Sequence, residues 1–381
     1  VPSTQPVPPF SHDDIRPYFT AEGLDLLGVT AAEPIPAAEA AYARWLEEGR
    51  AGSMSYMHRH LTAKYRPEAM LPGCRSILLV GVNYYQERAA AGTAQRGSGP
   101  ERASASAAAP ATTDDAATAG RVARYAWGRD YHKAVGKPLS RIARALGAAF
   151  PGHRFRGFTD ATPLSERLYG ERAGIGFQGR NTLLIHPSLG SWFFIGEVLS
   201  TLEVAETHRP AGARGACPTH CRRCIEACPT GALAGPYDFD ARLCISYLTI
   251  EHDGDIAPAI AGRMGDWVFG CDRCQEACPL NAGARPTTVA DFLNPIAGSH
   301  IELAELLDLP DDDAVRRRFA GSPLLRAKRR GLVRNACIAA ANIGARELLP
   351  RVRNLTGDAD PVVAAAAVWA STRLSDALGG G

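Results

Sequence analysis

The sequence predicts an α+β chain of several domains. Three observations carry this. Strand-like apolar runs alternate with helical spacing before residue 205, eight cysteines fall between 217 and 278, and the pattern is all-helical from about residue 300. A chain of 381 residues has room for two or three domains. The expected division is an α/β domain over 11–205, a ferredoxin-like domain over 206–299 and a helical domain over 300–381.

In the first part, residues 37–48 have helical spacing, with Tyr42, Trp45 and Leu46 on one side. Residues 76–85 read as a buried strand. Residues 89–119 are almost wholly Ala, Gly, Ser and Thr. Such a stretch buries too little apolar surface to offset its ordering entropy, which predicts a disordered surface insertion. Helices are expected over 134–150 and 164–173, and strands over 154–159, 182–186 and 192–202. In the last part Leu332, Val333, Ala336, Cys337, Ala340 and Ala341 recur at helical spacing, and Asp360-Pro361 is a helix start. Such helix pairs suggest a short HEAT-like stack. A plain helical cap over the cysteine region is the alternative.

The formal net charge is +2, so a nucleic-acid partner needs a local basic patch. No apolar run approaches the roughly 18 residues of a membrane span. The Pro-rich start lacks a basic leader or twin-Arg signal, which predicts a cytoplasmic protein. No heptads demand a dimer, and a monomer is expected.

The cysteines run Cys217-Pro-Thr-His-Cys221-Arg-Arg-Cys224-Ile-Glu-Ala-Cys228-Pro229, then Cys244, then Cys271-Asp-Arg-Cys274-Gln-Glu-Ala-Cys278-Pro279. This is ferredoxin spacing for two [4Fe–4S] clusters, in which the last Cys of a run crosses to the other cluster. Cluster one then takes Cys217, Cys221, Cys224 and Cys278, and cluster two takes Cys228, Cys244, Cys271 and Cys274. Three residues separate Cys217 from Cys221 where two are usual, which leaves His220 as an alternative ligand. A zinc site is the other reading of the same cysteines, but it favours paired Cys–x–x–Cys knuckles. Cys74 and Cys337 lie outside the pattern and read as buried small hydrophobes.

Upstream, Arg124-Tyr-Ala-Trp-Gly-Arg-Asp-Tyr-His132 packs aromatic, cationic and titratable groups together. Asp160 follows a strand, where a carboxyl group can face a cleft or simply form a turn. Gly174, Gly176 and Gly179 would let backbone approach a large ligand. Arg326, Lys328, Arg329, Arg330 and Arg334, with Arg316–Arg318 before them, form the best phosphate-contact patch, or else a solvated helix face.

Several of these motifs together carry a family resemblance. They are Met70-Leu-Pro-Gly73, Arg124-Tyr-Ala, Asp130-Tyr-His132, Asp160 with Pro163 and Glu166-Arg167, Gly179-Arg-Asn-Thr182, Cys228-Pro-Thr-Gly-Ala232, Cys244-Ile-Ser-Tyr-Leu-Thr-Ile-Glu251, Gly270-Cys-Asp-Arg-Cys-Gln275 and Gly321-Ser-Pro. The chain resembles the epoxyqueuosine reductases, cobalamin-dependent iron–sulfur enzymes of the last step of queuosine synthesis in tRNA.

The resemblance implies a cobalamin-binding α/β domain, a two-cluster module that wires electrons to cobalt, and a tRNA platform of C-terminal helices. It implies Asp160 as proton donor, in a site apolar enough to keep it protonated. Lys64, Ala123 and Asp160 match cobalamin-contacting positions, while Arg180, Asn181, Leu184 and Ile195 would line the corrin, largely through backbone. Ala123 is small where relatives carry a side chain under the cobalt. Thr249 and His252 would touch RNA beside cluster two. Tyr125 and His132 are candidate proton relays, with core packing and helix capping as their plain alternatives. The partners implied are a tRNA with a modified wobble base and an external low-potential electron donor. A reductive dehalogenase and a non-catalytic ferredoxin-type carrier are the competing readings.

Overall fold

The computed structural model describes residues 10–24, 26–87, 118–207 and 215–376. Of the expected insertion, residues 89–117 lie outside the described ones, and Ala119 already opens a strand. The chain packs as two compact units, each built from separated segments. The first takes Val1–Tyr85, Gly128–Tyr247 and Asp272–Pro295; the second takes Gln86–Trp127, Leu248–Cys271 and Ile296–Gly381. This division crosses the expected cysteine domain, whose 248–271 stretch joins the C-terminal helices.

The first unit contains α1 (His12–Thr20), β1 (Leu26–Ala31), α2 (Pro36–Glu47), β2 (Ser76–Asn83), α3 (Gly136–Ala149), β3 (Phe155–Phe158), α4 (Glu166–Arg172) and β4 (Phe193–Ser200). Its four strands lie in the order β1-β2-β4-β3, and every pair is antiparallel. The sheet therefore lacks the parallel strands that α/β alternation suggests. β2 and β4 read as near-continuous apolar runs because both faces are covered. On one face, Leu139 and the preceding Val135 press on Gly196, where a side chain would collide with them. On the other, Tyr169, Ala173, Ile175 and Leu184 pack on Ile77, Leu79, Phe193 and Leu199. Glu197 pairs with Leu79 across the ladder and so points to this second, α4 face.

Gly176 and Gly179 are required by the packing of the chain itself. A Cβ on Gly176 would meet the Ile185 carbonyl at 2.3 Å, and one on Gly179 would meet the Ile185 side chain at 2.5 Å. They let Phe177–Gln178 and Leu184–Ile185 close as a tight pair.

In the second unit, Ala119–Val122 is the centre of a three-stranded sheet, parallel to Trp267–Phe269 and antiparallel to His300–Glu302. That last strand interrupts the all-helical expectation. Two long helices follow, α5 (Lys328–Ile343) and α6 (Pro361–Asp376), and Asp360 caps α6 by accepting from the Val362 N–H. α5 is buried from Gly331 to Ala341. Its alanines let neighbouring backbone come close, and its polar residues bind that backbone. Arg334, 1 % exposed, donates to the carbonyls of His252, Gly254 and Leu248 and to Asn335 Oδ1. Asn335 donates in turn to the carbonyls of Thr249 and Val268 at 2.9 Å. Cys337 is fully buried here, while Cys74 packs half-buried against the first unit's core.

Arg334 therefore holds the 248–254 segment, and Arg334→Ala should lower stability by about 3 kcal/mol or more, because several buried carbonyls lose a charged donor. Arg330→Ala, at an exposed ion pair with Asp360, should cost less than about 1 kcal/mol. Urea denaturation of the two variants checks the contrast.

Candidate functional site

In the first unit the two cysteine runs fold alike. Ile225, Glu226, Ala227 and Cys228 donate their N–H groups to the carbonyls of Arg222, Arg222, Arg223 and Ile225. Gln275, Glu276, Ala277 and Cys278 repeat the pattern onto Asp272, Asp272, Arg273 and Gln275. The short helices this creates, Arg223–Glu226 and Arg273–Glu276, pack together. Cys217, Cys221, Cys224 and Cys278 then line one recess, together with Arg180 and Asn181. The extra residue after Cys217 is absorbed in a turn: the Cys221 N–H bonds the Pro218 carbonyl, and His220 takes the left-handed conformation at φ 61°. His220 itself is exposed and does not line the recess.

The recess suits a cluster chemically. Burial, reinforced by neighbouring cysteines, pushes the Cys224 and Cys278 thiols up. Four thiolates gathered here need cationic iron to offset burial and mutual repulsion. Among the described residues no three His, Cys, Asp or Glu side chains converge as a single ion demands, and a four-iron cluster spreads its thiolates more widely. The Arg180 N–H lies 3.5 Å from Cys217 Sγ, and its guanidinium donates to the Cys221 carbonyl. The Asn181 amide nitrogen is buried with no hydrogen-bond partner among the described residues. Of the second group, Cys228 acts electrostatically on the half-buried Cys244, Cys274 lies in the same unit, and Cys271 is the last residue of its segment in the other unit.

A second constellation surrounds Asp160. Its φ of 46° is left-handed, and its side chain is 57 % exposed. Among the described residues no apolar side chains enclose it; the Tyr131 hydroxyl donates to Oδ2, and His132 Nε2 stands 3.9 Å away. Tyr131 stacks on Phe194 at 4.4 Å and on His132 at 4.3 Å. Asp130 caps the short helix Tyr131–Ala134 and holds His132 Nδ1 at 2.8 Å, which raises the imidazole's pKa. His132 is thus both a capped helix residue and a neighbour of Asp160. Tyr125 lies in the second unit against Phe269 and packs in its core.

The loop carrying Asp160 is tied from beneath. Thr159 donates to the Ile195 carbonyl at 2.7 Å, Thr162 to Glu197 Oε1 at 3.2 Å, and Lys64 Nζ to the Pro163 carbonyl at 3.4 Å. Burial lowers the Lys64 pKa. Burial, then Asp160, pushes Glu166 up to about 7, while Glu197 is raised well above the usual carboxylate range. Neither Glu197 nor Tyr131 was singled out from sequence. The available signal was an acidic residue inside the apolar run 193–200.

The expected corrin-lining set is therefore divided. Lys64, Asp160 and Ile195 meet at the loop, and Arg180 and Asn181 line the sulfur recess. Leu184 is core, offering a ligand backbone at most. Ala123 belongs to the second unit, is 1 % exposed and donates its N–H to Phe269. Two expected RNA contacts are corrected. Arg334 and Thr249 are each 1 % exposed and are used internally, Thr249 by accepting from the Gly270 N–H. Arg326, Arg329 and Arg330 pair with Glu251, Asp358 and Asp360, while Lys328 is exposed. His252 is half-buried, with Nε2 2.9 Å from the Asp255 carbonyl.

The duplicated cysteine turns point to the class, an iron–sulfur oxidoreductase. The family models agree. Residues 217–281 match the 4Fe-4S double cluster binding domain, and residues 64–161 match the domain described as epoxyqueuosine reductase QueG, DUF1730. The chain is 38 % identical to the epoxyqueuosine reductase of Gloeobacter violaceus, covering 84 % of this chain and 93 % of that one. It is 34 % identical to that of Xanthomonas campestris, covering 93 % and 94 %. The solved epoxyqueuosine reductase from Streptococcus thermophilus superposes with a TM-score of 0.80 at 25 % identity, covering 95 % and 90 %. The chain belongs to the epoxyqueuosine reductase family.

Because Asp130 favours charged His132, the ring's charge is fully favoured below the ordinary pKa of about 6.5 and is lost only as pH rises through the raised value. Asp130→Asn should move that midpoint down, as read by NMR titration of the imidazole protons.

Proposed function

We propose that this protein reduces epoxyqueuosine to queuosine at the wobble position of tRNA. The observation that carries the reading is the Asp160 loop: an exposed carboxyl, set by Tyr131 and His132, in a chain of this family. In the Bacillus subtilis epoxyqueuosine reductase the catalytic loop can swing out of the active site. A solved epoxyqueuosine reductase holds an epoxyqueuosine-modified stem loop of tRNA-Tyr.

The reaction opens an epoxide and releases its oxygen as water, consuming two electrons and two protons. Cobalamin and two [4Fe–4S] clusters, when bound, supply the electron chemistry. Cluster one would be held by Cys217, Cys221, Cys224 and Cys278, and cluster two by Cys228, Cys244, Cys271 and Cys274. The unpaired Asn181 amide, the half-buried Ile195 and the exposed Asp160 are groups that a corrin with amide arms would meet. Asp160 donates a proton to the epoxide oxygen as the ring opens. Tyr131 fixes the carboxyl, and charged His132 steadies the carboxylate left behind. The functional parts we assign are a cobalamin-binding domain over 11–205, a ferredoxin-like domain over 206–299 and HEAT-like helices over 300–381 that receive tRNA. An external donor of low potential feeds the clusters. Among the described residues no helix is long and apolar enough to cross a membrane. Working on tRNA places the protein in the cytoplasm, and we take it to act as a monomer.

Phosphate contact falls on the exposed cations, Lys328 with Arg326 and Arg330, and His252 lies in the same unit. Replacing Lys328 and Arg330 by Ala should weaken RNA binding and reduce the slope of log affinity against log salt by about one per lost contact. An unchanged slope removes this patch.

Epoxyqueuosine-containing tRNA, incubated with the loaded and reduced protein, should yield queuosine on nucleoside analysis; no conversion ends the reading. Asp160→Asn should keep the cluster and corrin absorption bands while losing about 10²–10⁴-fold in turnover. Full turnover in that variant excludes the acid role.

A further inference from the structure

One side of the first unit carries charge that the fold does not use. α3 holds Lys137, Arg141 and Arg144 and no Asp or Glu, in a chain whose net charge is +2. Lys133 lies four residues before Lys137, on the short helix Tyr131–Ala134. All four cations are exposed, and together they line an open groove of about 470 Å³. Arg141 is neutralised by Glu22, at 2.9 Å. The side chains of Lys133, Lys137 and Arg144 have no hydrogen bond or ion pair among the described residues.

Helix stability does not account for these cations. Lys137 lies in the first turn of α3, where the helix dipole opposes a positive charge, and the last turn, where the dipole favours one, has none. With no acid on α3, the row gains nothing from pairs within the helix.

The groove lies beside the candidate acid. One wall is β3, the outer strand of its sheet, at Gly157 and Phe158. A Cβ on Gly157 would meet the Leu139 carbonyl at 2.5 Å, so α3 lies directly on that strand and its row of cations is fixed alongside. Thr159 and Ala161, the two chain neighbours of Asp160, also line the groove, as does His132. The acids at this end are engaged, Asp130 with His132 and Asp160 with Tyr131. Lys137 and Arg144 stand two turns apart on one face of α3, roughly 10 Å along its axis. That spacing suits successive charges of a strand better than one small anion. Exposed cations along an open groove are also how proteins hold a nucleic-acid backbone without reading its bases.

We propose that this groove holds the phosphate backbone of the RNA strand whose base reaches Asp160, with Lys133, Lys137 and Arg144 as the phosphate contacts. The inference rests on the assigned reaction and gives the first unit an RNA surface of its own, in addition to the Lys328 patch of the second. A base drawn out of its stack toward Asp160 brings the phosphates of its own strand to the groove. The three cations touch no reacting atom; they position the strand.

The test uses the full chain, loaded with clusters and cobalamin, and a tRNA anticodon stem loop as the probe. Lys137→Ala combined with Arg144→Ala should lower the slope of log affinity against log salt by about one per lost contact. In turnover the same double variant should raise KM and leave kcat at saturating tRNA unchanged. Arg16→Ala combined with Arg44→Ala removes two exposed charges outside the groove and should leave the slope as it is. A photoreactive side chain in place of Lys137 should crosslink to the strand that carries the wobble base. An unchanged slope in the groove variant overturns the proposal, as does an equal fall in the control variant, which marks general charge. A crosslink that misses the stem loop overturns it too, and so does inorganic phosphate at equal ionic strength competing as well as the stem loop, which marks a small-anion site. Wild-type protein that binds no stem loop ends the assigned function along with the groove. Wild-type binding with an unaltered slope in the groove variant ends the groove alone.

Discussion

The eight-residue ladder between β2 and β4 is the constraint on which the first unit depends. Every pair from Ser76–Ser200 to Asn83–Phe193 is in register. A strand alternates its side chains, so a slip of one residue would send Glu197 to the α3 face and bring Gly196 or Val198 under the Asp160 loop. The Ile195 carbonyl that holds Thr159 would move with it. The left-handed turn at Asp160 costs backbone energy that a surface loop does not normally bear. The bonds to Ile195, Glu197 and Lys64 fix the loop at three points and offset that cost.

The sulfur recess applies the same logic to another chemistry. Its cysteines come from two segments more than fifty residues apart in sequence, and each is delivered by a turn whose geometry is local. Local turns make the thiol positions robust. A buried network then joins the second run to the sheet, with Asn281 bridging Ser191 and the Gln275 carbonyl. Arg180 also serves this recess, with its N–H beside Cys217 Sγ and its guanidinium on the Cys221 carbonyl.

Features governed by local chemistry were legible in the sequence. The buried run of β2, the Asp360-Pro361 start of α6 and the cysteine spacing all depend on neighbours in the chain. What escaped depends on partners from elsewhere. Arg329 and Arg330 read as a free basic patch because Asp358 and Asp360, which pair with them, come from the turn before the next long helix. Arg334 sits in the same run, yet faces inward toward the carbonyls of 248–254. Gly176 and Gly179 suggested room for a ligand, and their space is filled by Ile185. The shifted Cys217 looked out of register because spacing alone does not reveal that His220 can adopt a left-handed turn.

The division between Asp160 and the two glutamates follows from what a proton donor must do. A group that touches a nucleoside in a tRNA loop has to reach the surface, where its proton equilibrates with water and with every nearby base. A group that retains a proton near neutrality has to be shielded, and shielding keeps it from the substrate. Asp160 sits on a left-handed turn whose loop is bonded to the buried Glu197, so an exposed and a shielded carboxyl share one loop. His132, its charge supported by Asp130, stands 3.9 Å from the Asp160 carboxyl. The tethers beneath the loop then serve as more than packing: they fix the backbone that presents the exposed acid.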